Sequence, residues 1–254
     1  MIQSIQRAVE ILNLFSLARP NWGIAEISRA TGLAKTTVHN IVSTLSQGGF
    51  LLQNTETRKY TLGHKIFTLG AIMAGTMDIN LKASGPAHQI TARTGLISRV
   101  AVWDNDAALV TLNVNPKYGS SLSQQIGPRV VAYCSAIGRA LLAHLAPSDL
   151  EIYLERWKPV TFTPHTVTDK KELLRILDRT RRQGYALNDQ ELAPGQSAIA
   201  AAIFRSGGTL AASICLTSTP EVITGSRMPE LVADLRSTAA EISRYLGHYP
   251  AGPA

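Results

Sequence analysis

The sequence of 254 residues has few cysteines, and this limits its chemistry. Cys134 and Cys215 are the only two, and no short spacing joins them, which excludes a disulfide framework. A four-ligand zinc site would need histidine or carboxylate ligands that no motif supplies. We therefore expect no metal, no cofactor and a reducing compartment, the cytoplasm.

Long hydrophobic runs are also missing. The longest apolar stretch, around residues 130–146, is interrupted by Arg139 and His144, so it is too broken to span a membrane. Near the N-terminus, Arg7 and Glu10 interrupt the apolar residues, which argues against a signal peptide. The sequence therefore predicts a cytoplasmic protein with no membrane partner.

Charged residues are scarce, at 17%, whereas hydrophobic residues make up 45% of the chain. This balance predicts a packed core and argues against disorder. The net charge of +7 is unevenly distributed. Residues 1–65 carry 7 basic and 3 acidic residues, and the other 189 carry 18 and 15. The basic excess is denser at the N-terminal end, which is typical of a phosphate-binding module.

Residues 23–50 have the pattern of two short helices joined by a tight turn. Ile24 and Ile27 form one apolar face, Gly32 is suited to end the first helix, and a second helix begins near Lys35. The inward face of the second helix consists of Val38, Ile41, Val42 and Leu45, and its outward face of Lys35, Thr36, His39, Asn40 and Ser43. A plain helical hairpin shares this pattern, but a polar and cationic second helix is typical of a helix-turn-helix in the DNA major groove.

A predicted β-hairpin follows this motif. Strand-like runs at residues 50–53 and 58–62 flank the turn residues 54–57, and Arg58 and Lys59 lie at the hairpin tip. A winged helix-turn-helix has its wing at this place. The combination of a polar helix and a basic wing predicts binding to double-stranded DNA.

Two more helices are predicted beside this module. Residues 4–17 would form a helix capped by Ser4. Its buried stripe would consist of Ile5, Ala8, Val9, Leu12 and Phe15. Residues 64–83 have helical spacing with few polar residues, so they predict either a linker that contacts a second subunit or an ordinary core helix.

From about residue 84 the pattern is mixed. Helices are predicted at 86–94, 135–146, 148–157, 169–183 and 227–249. Strands are predicted at 96–103, 107–114, 121–126, 185–188, 197–204 and 210–217. Strands flanked by helices indicate an α/β domain around one antiparallel sheet, so the fold class of the whole chain is α+β.

Several motifs in both halves resemble the IclR family of bacterial transcription regulators. They are Ser4-Ile5-Gln6-Arg7-Ala8-Val9-Glu10-Ile11-Leu12, Ala25-Glu26-Ile27-Ser28, Thr31-Gly32-Leu33, Lys35-Thr36-Thr37-Val38-His39, Tyr60-x-Leu62-Gly63, Ala136-Ile137-Gly138-Arg139-Ala140-Leu141-Leu142-Ala143, Gly184-Tyr185-Ala186, Asp189-Gln190-Glu191 and Gly195. The resemblance implies a winged helix-turn-helix domain over residues 1–63, a linker and dimerisation helix over 64–83 and a GAF-like effector-binding domain over 84–250. It further implies a homodimer, or a tetramer built as a dimer of dimers, that represses or activates at operator DNA.

The resemblance implies DNA contacts by Lys35, Thr36, Thr37 and His39 and by the next position, Asn40. The hairpin pattern adds Arg58 and Lys59 to the predicted DNA-binding residues. Asn40 departs from the family, in which arginine is common at this position. Arginine binds guanine bidentately whereas asparagine suits adenine, so the operator sequence should differ at this contact.

The resemblance also implies a pocket for a small organic acid. A carboxylate would lie at the helix start formed by Ser135, Ala136, Ile137 and Gly138, where unpaired backbone N–H groups and the helix dipole favour an anion. The opposite wall would consist of Asn188, Ala198, Cys215 and Thr217. Because these four are less acidic and less polar than is usual in the family, we expect an effector with a larger apolar or aromatic body.

Catalysis is not predicted. Ser135 lacks a nucleophile elbow, and Asp189 and Glu191, which could act as acid and base, more often bind an arginine or cap a turn. Two alternatives stay open: a sensor that acts at promoters only with a partner protein, and a degenerate enzyme domain fused to a DNA-binding head.

Overall fold

The computed structural model describes residues 2–116 and 129–249. The chain divides into two compact units, Met1–Gly75 and Thr76–Ala254. The strand predicted over residues 121–126 lies outside the described residues.

The first unit is a three-helix cluster closed by a short hairpin. Its elements are α1 (Gln3–Leu12), α2 (Ile24–Thr31), α3 (Lys35–Gln47), β1 (Leu51–Gln53) and β2 (Tyr60–Leu62), followed by α4 (His64–Thr76). β1 and β2 are antiparallel, with Leu51 opposite Leu62. The buried core consists of Ile11, Trp22, Ile27, Val38, Val42, Leu51 and Tyr60. Gly32 has a φ of 71° and ends α2 in the left-handed conformation, as the sequence predicted.

The first helix is shorter than predicted and presents a different face to the core. It begins at Gln3 after Ile2, not at a Ser4 cap, and ends at Leu12. Ile11 is fully buried, whereas Ile5 and Val9 are 59% and 49% exposed. The predicted stripe was therefore wrong in part, because the helix has apolar residues on more than one side and only tertiary packing selects the buried side.

The single helix predicted over residues 64–83 is two helices. α4 ends at Thr76, Met77 is extended, and α5 (Asp78–Thr94) runs on through Pro86. The sequence predicted separate helices over residues 64–83 and 86–94, and this boundary was wrong. Pro86 and its neighbours Ala83, Ala87 and Ile90 are buried, and this packing outweighs the lost backbone hydrogen bond.

The second unit contains a six-stranded antiparallel sheet with strand order β5-β4-β3-β8-β7-β6. The strands are β3 (Ile97–Asp104), β4 (Ala107–Val114), β5 (Arg129–Val131), β6 (Ala186–Asp189), β7 (Ser197–Phe204) and β8 (Leu210–Ser218). The helices after α5 are α6 (Ala136–Leu142), α7 (Pro147–Arg156), α8 (Lys170–Gln183), α9 (Pro220–Ile223) and α10 (Met228–Tyr245). A short 3₁₀ turn, Ser206–Gly208, joins β7 to β8.

Helices cover both faces of this sheet. α5 and α10 pack on one face around Ile199, Leu216 and Leu235. α6 packs on the other face, against β3, β4, β7 and β8, around Ala101, Ala200 and Leu141. The α+β class is therefore confirmed.

β5 and α9 were missed in the sequence because each has only three or four residues. The part of the chain that the structure describes has no helix with the length and hydropathy needed to cross a membrane.

Candidate functional site

The outward face of α3 is available to a ligand. Lys35, Thr36, His39 and Asn40 are exposed, and Thr37 is half-buried. Their side chains have no hydrogen-bond partner within the described residues, and α3 contains no acidic side chain. Because α3 follows α2 across a tight turn at Gly32, its N-terminal end projects these groups together. This is the arrangement by which a second helix presents side chains to base edges.

The two predicted wing cations differ in their surroundings. The Asn54 carboxamide oxygen accepts the N–H groups of Glu56 and Thr57 and fixes the turn. Arg58 follows with a φ of 58°, is exposed, and forms no ion pair within residues 2–116 and 129–249. Lys59 instead places its Nζ 3.4 Å from the Glu26 carboxylate. Only Arg58 is thus unengaged at the hairpin.

In the second unit, a cavity lies between the sheet and the start of α6. Seven of the eight predicted effector residues line it: Ser135, Ala136, Ile137, Asn188, Ala198, Cys215 and Thr217. They come from α6, β6, β7 and β8, so the fold brings together residues that are distant in sequence. The effector-binding role of these residues stays a prediction.

Gly138 is the predicted residue that does not line the cavity. A Cβ atom at this position would lie 2.3 Å from the Cα of Ala132, so glycine permits the close approach of α6 to the preceding loop. Its N–H donates to the Ser135 hydroxyl at 3.2 Å. This cap occupies one of the four amides at the helix start. The N–H groups of Ala136 and Ile137, which line the cavity, have no partner in the described part of the chain.

Asn188 lines the cavity, but both polar atoms of its carboxamide already form hydrogen bonds within the protein. Its Nδ2 donates to the Cys134 carbonyl, and its Oδ1 accepts the Glu191 N–H at 3.2 Å. It therefore fixes the wall more than it offers polar groups to a ligand. Nearby, burial raises the pKa of the Cys215 thiol, so this group is a neutral part of the lining.

Arg99 on β3 was missed in the sequence. It lies opposite Cys215 in the sheet, lines the cavity and donates from Nε to the Asn113 side chain at 3.1 Å. A single cation inside the apolar strand of residues 97–103 was the signal that could have identified it. The other lining residues that were missed are Val110, Val130, Leu192, Gln196 and Ser197. No carboxylate is among the described lining residues.

A buried ion pair, Arg139–Glu191, lies next to the cavity, where Glu191 contacts the lining residue Asn188. Arg139, which is 1% exposed, donates from Nη2 to Glu191 at 2.6 Å and from Nε to the Tyr133 carbonyl at 2.7 Å. Asp189 accepts instead from the Ser197 hydroxyl at 2.7 Å. Glu191 thus binds an arginine, as one reading of the sequence expected, and the two acids have separate partners. Within residues 2–116 and 129–249 no three His, Cys, Asp or Glu side chains are grouped as metal ligands.

Comparison with known proteins identifies relatives of both units. The model of the IclR helix-turn-helix domain matches residues 4–55, and that of the bacterial transcriptional regulator IclR C-terminal domain matches residues 72–244. The HTH-type transcriptional regulator XynR of Escherichia coli K12 is 32% identical over 251 residues, which cover 99% of each chain.

Solved structures show the same fold along the chain. The IclR transcriptional regulator of Alicyclobacillus acidocaldarius superposes with a TM-score of 0.82 at 27% identity, over 97% of this chain and 100% of that one. An IclR homologue of Microbacterium hydrocarbonoxydans, solved with 4-hydroxybenzoate, gives a TM-score of 0.81 at 25% identity, over 96% and 99%. With a polar α3 face in the first unit and matches that cover both units, the chain belongs to the IclR family of bacterial transcriptional regulators, with a helix-turn-helix domain and a C-terminal effector-binding domain.

Proposed function

We propose that a small organic acid with an aromatic or largely apolar body modulates the binding of this regulator to operator DNA. The observation that carries the proposal is the composition of the cavity between the sheet and α6. It has one guanidinium, that of Arg99, mostly apolar or small walls and no carboxylate among its described lining residues.

The chemistry of this cavity suits a carboxylate joined to an apolar body. Arg99 and the N–H groups of Ala136 and Ile137 are donors for the carboxylate, and charge-assisted hydrogen bonds of this kind are the strong ones. Val110, Val130, Leu192 and the side chain of Ile137 offer apolar contact to the remainder. A homologue solved in complex with 4-hydroxybenzoate, an aromatic acid, also supports an effector of this class.

The DNA contacts that we propose are those of the winged helix-turn-helix. The side chains of α3 would contact base edges in the major groove and Arg58 would contact phosphate, with Asn40 suited to adenine. α4 exposes Phe67, Ile72 and Met73 and buries no residue among those described, so we propose that it meets the same helix of a second subunit. A cytoplasmic homodimer or tetramer would then present two recognition helices.

Regulation would follow from linkage. If the acid binds one arrangement of the subunits better than another, it changes the affinity for DNA, and DNA changes the affinity for the acid by the same factor. Such couplings are typically about 1–3 kcal/mol.

The test is a fluorescence-anisotropy titration on DNA from the upstream region of the gene, at two salt concentrations, with benzoate, 4-hydroxybenzoate, pyruvate and glyoxylate. We expect saturable binding that an aromatic acid shifts and the short keto acids do not. A shift with keto acids alone would contradict the proposed class of effector.

Arg99→Met tests the carboxylate contact. Loss of one charge-assisted hydrogen bond should weaken acid binding by about 10- to 100-fold. The control is Arg93→Met, which removes an exposed arginine paired with Asp234 outside the cavity and should leave acid binding unchanged. Equal effects of the two substitutions in calorimetry would argue against the assigned cavity.

A further inference from the structure

The first unit contains an acidic residue that contacts three separate groups. The Glu26 carboxylate accepts the Gly23 N–H at 2.7 Å and the Arg19 guanidinium at 2.9 Å, and it lies 3.4 Å from the Lys59 ammonium. The hydrogen bond from Gly23 lowers the pKa of Glu26, and the charges of Lys59 and Arg19 act in the same direction. Glu26 is therefore ionised near neutral pH.

The surroundings of Glu26 are fixed to the wing by the backbone. Trp22 and Tyr60 exchange two backbone hydrogen bonds of 3.0 and 2.8 Å, and both side chains are buried. The Arg19 guanidinium lies 3.5 Å from the centre of the Trp22 ring. Lys59 directly precedes Tyr60, so the segment before α2 and the base of the wing are held together where Glu26 meets Lys59.

This geometry separates two adjacent cations of the wing. Arg58 is exposed and has no ion pair within the described residues, whereas Lys59 is half-buried and paired. An exposed ion pair is weak and its partners exchange readily. A DNA phosphate that approaches the wing must therefore compete with Glu26 for Lys59 but meets no such competitor at Arg58.

We propose that Glu26 is a positioning residue that withholds Lys59 from the DNA backbone and so lowers the sequence-independent affinity of the wing. The inference rests on the proposed DNA contacts of the wing and goes further, because it assigns a role to an acid outside the recognition helix. Phosphate contacts dominate non-specific binding, so withholding one cation from phosphate raises the ratio of sequence-specific to non-specific affinity.

The first test is Glu26→Gln. Glutamine can replace glutamate in a capping box, so the start of α2 is retained while the charge that holds Lys59 is removed. Anisotropy titrations on a random-sequence duplex at four salt concentrations should show tighter binding by about two- to five-fold, the range that an exposed ion pair represents. The slope of log K against log salt should steepen by up to about 0.9, the value for one phosphate contact.

Glu26→Gln also removes a negative charge that repels DNA, whether or not Lys59 is released. A double-mutant cycle with Lys59→Met separates these two effects. In that background Glu26→Gln can release only Arg19, so its effects on affinity and slope should be clearly smaller. The matched control is Glu56→Gln, which removes one negative charge from the wing turn, where Glu56 has no ion pair in the described part of the chain. Its small effect should be the same with and without Lys59. An equal effect of Glu26→Gln in both backgrounds would overturn the inference.

A second comparison does not depend on any change at Glu26. Lys59→Met should weaken binding to the random duplex less than Arg58→Met, because Lys59 is already paired. Equal losses would contradict the withholding of Lys59. If the unaltered chain bound neither the upstream nor the random duplex, the proposed function itself would fail and the inference with it, so the two failures are distinguishable.

Discussion

The two units of this chain present binding groups in opposite ways. On α3 the side chains of Lys35, His39 and Asn40 are exposed on one continuous helix and have no partner in the described residues. The cavity of the second unit is built from seven elements and a loop, and much of its polar lining is already hydrogen-bonded, as at Asn188 and Ser197. The first surface must order its side chains on binding, whereas the second is already ordered before a ligand arrives.

The ion pairs of the two units also differ in how firmly the protein holds them. Arg139 and Glu191 are 52 residues apart in sequence and buried, and the Arg139 guanidinium also donates to two carbonyl groups. Lys59 and Glu26 form one longer, partly exposed pair. A buried pair is costly to break by removing one partner, whereas an exposed pair contributes about 0–1 kcal/mol. We infer that the first pair is structural and the second exchangeable.

The largest effect that would sharpen this comparison is expected from Arg139→Met. Removing the arginine leaves Glu191 buried and unpaired, which should lower the free energy of unfolding by about 3–5 kcal/mol. Urea unfolding followed by near-ultraviolet circular dichroism would report it, because the aromatic pairs Trp103–Tyr153 and Tyr133–Trp157 lie in this unit.

Arg182→Met is the matched control for this change. Arg182 pairs with Asp178 at 2.8 Å on the exposed face of α8, so its loss should change the free energy of unfolding by less than about 1 kcal/mol. Similar values for the two variants would remove the distinction between a structural and an exchangeable pair.

The next effect is expected on DNA binding from Thr37→Glu. Thr37 is the third residue of α3, where a glutamate favours the helix, so the fold should be retained. A like charge against phosphate costs several kcal/mol, which corresponds to a loss of operator affinity of about a hundredfold or more. Anisotropy on upstream DNA is the measurement, with circular dichroism as the check on folding.

Gln47→Glu is the control, since it places the same charge at the other end of α3, about 15 Å along the axis. It should leave operator affinity within a few-fold of the unaltered chain. If Thr37→Glu bound the operator as tightly as the unaltered chain, α3 would not be the element that contacts the bases. The contrast between an exposed DNA-binding face and an ordered cavity would then no longer hold.

Local patterns were enough to predict the first unit closely. The turn at Gly32, the inward face of α3 and the hairpin after it follow from spacing within a few residues, and the structure confirms them. In the second unit, β7 has the predicted bounds, and α8 with its Asp169 cap covers the predicted helix of residues 169–183. Each of these features depends on residues close in sequence.

Features that depend on distant residues were missed or wrong. The buried side of α1 and the continuation of α5 through Pro86 are set by tertiary packing, which outweighs local preference. Arg99 enters the cavity only because β3 pairs with β8, and the Nδ2 group of Asn188 is occupied only because the Cys134 carbonyl lies beside it. A pattern identifies which residues share a face, but it does not identify their partners across the fold.

The smallest effects would separate backbone contacts from base contacts within the first unit. Arg58→Ala should weaken binding to every DNA sequence by about two- to five-fold, the range for one exposed ion pair, and reduce the salt slope by about 0.9. Asn40→Ala, on the exposed face of α3, should leave the salt slope unchanged and lower discrimination at one base pair by about 1–3 kcal/mol. Titrations on operator variants at two salt concentrations measure both quantities. If Arg58→Ala altered discrimination while Asn40→Ala altered the salt slope, the wing would read the sequence and α3 would bind phosphate, the reverse of the assignment made from their exposure and charge.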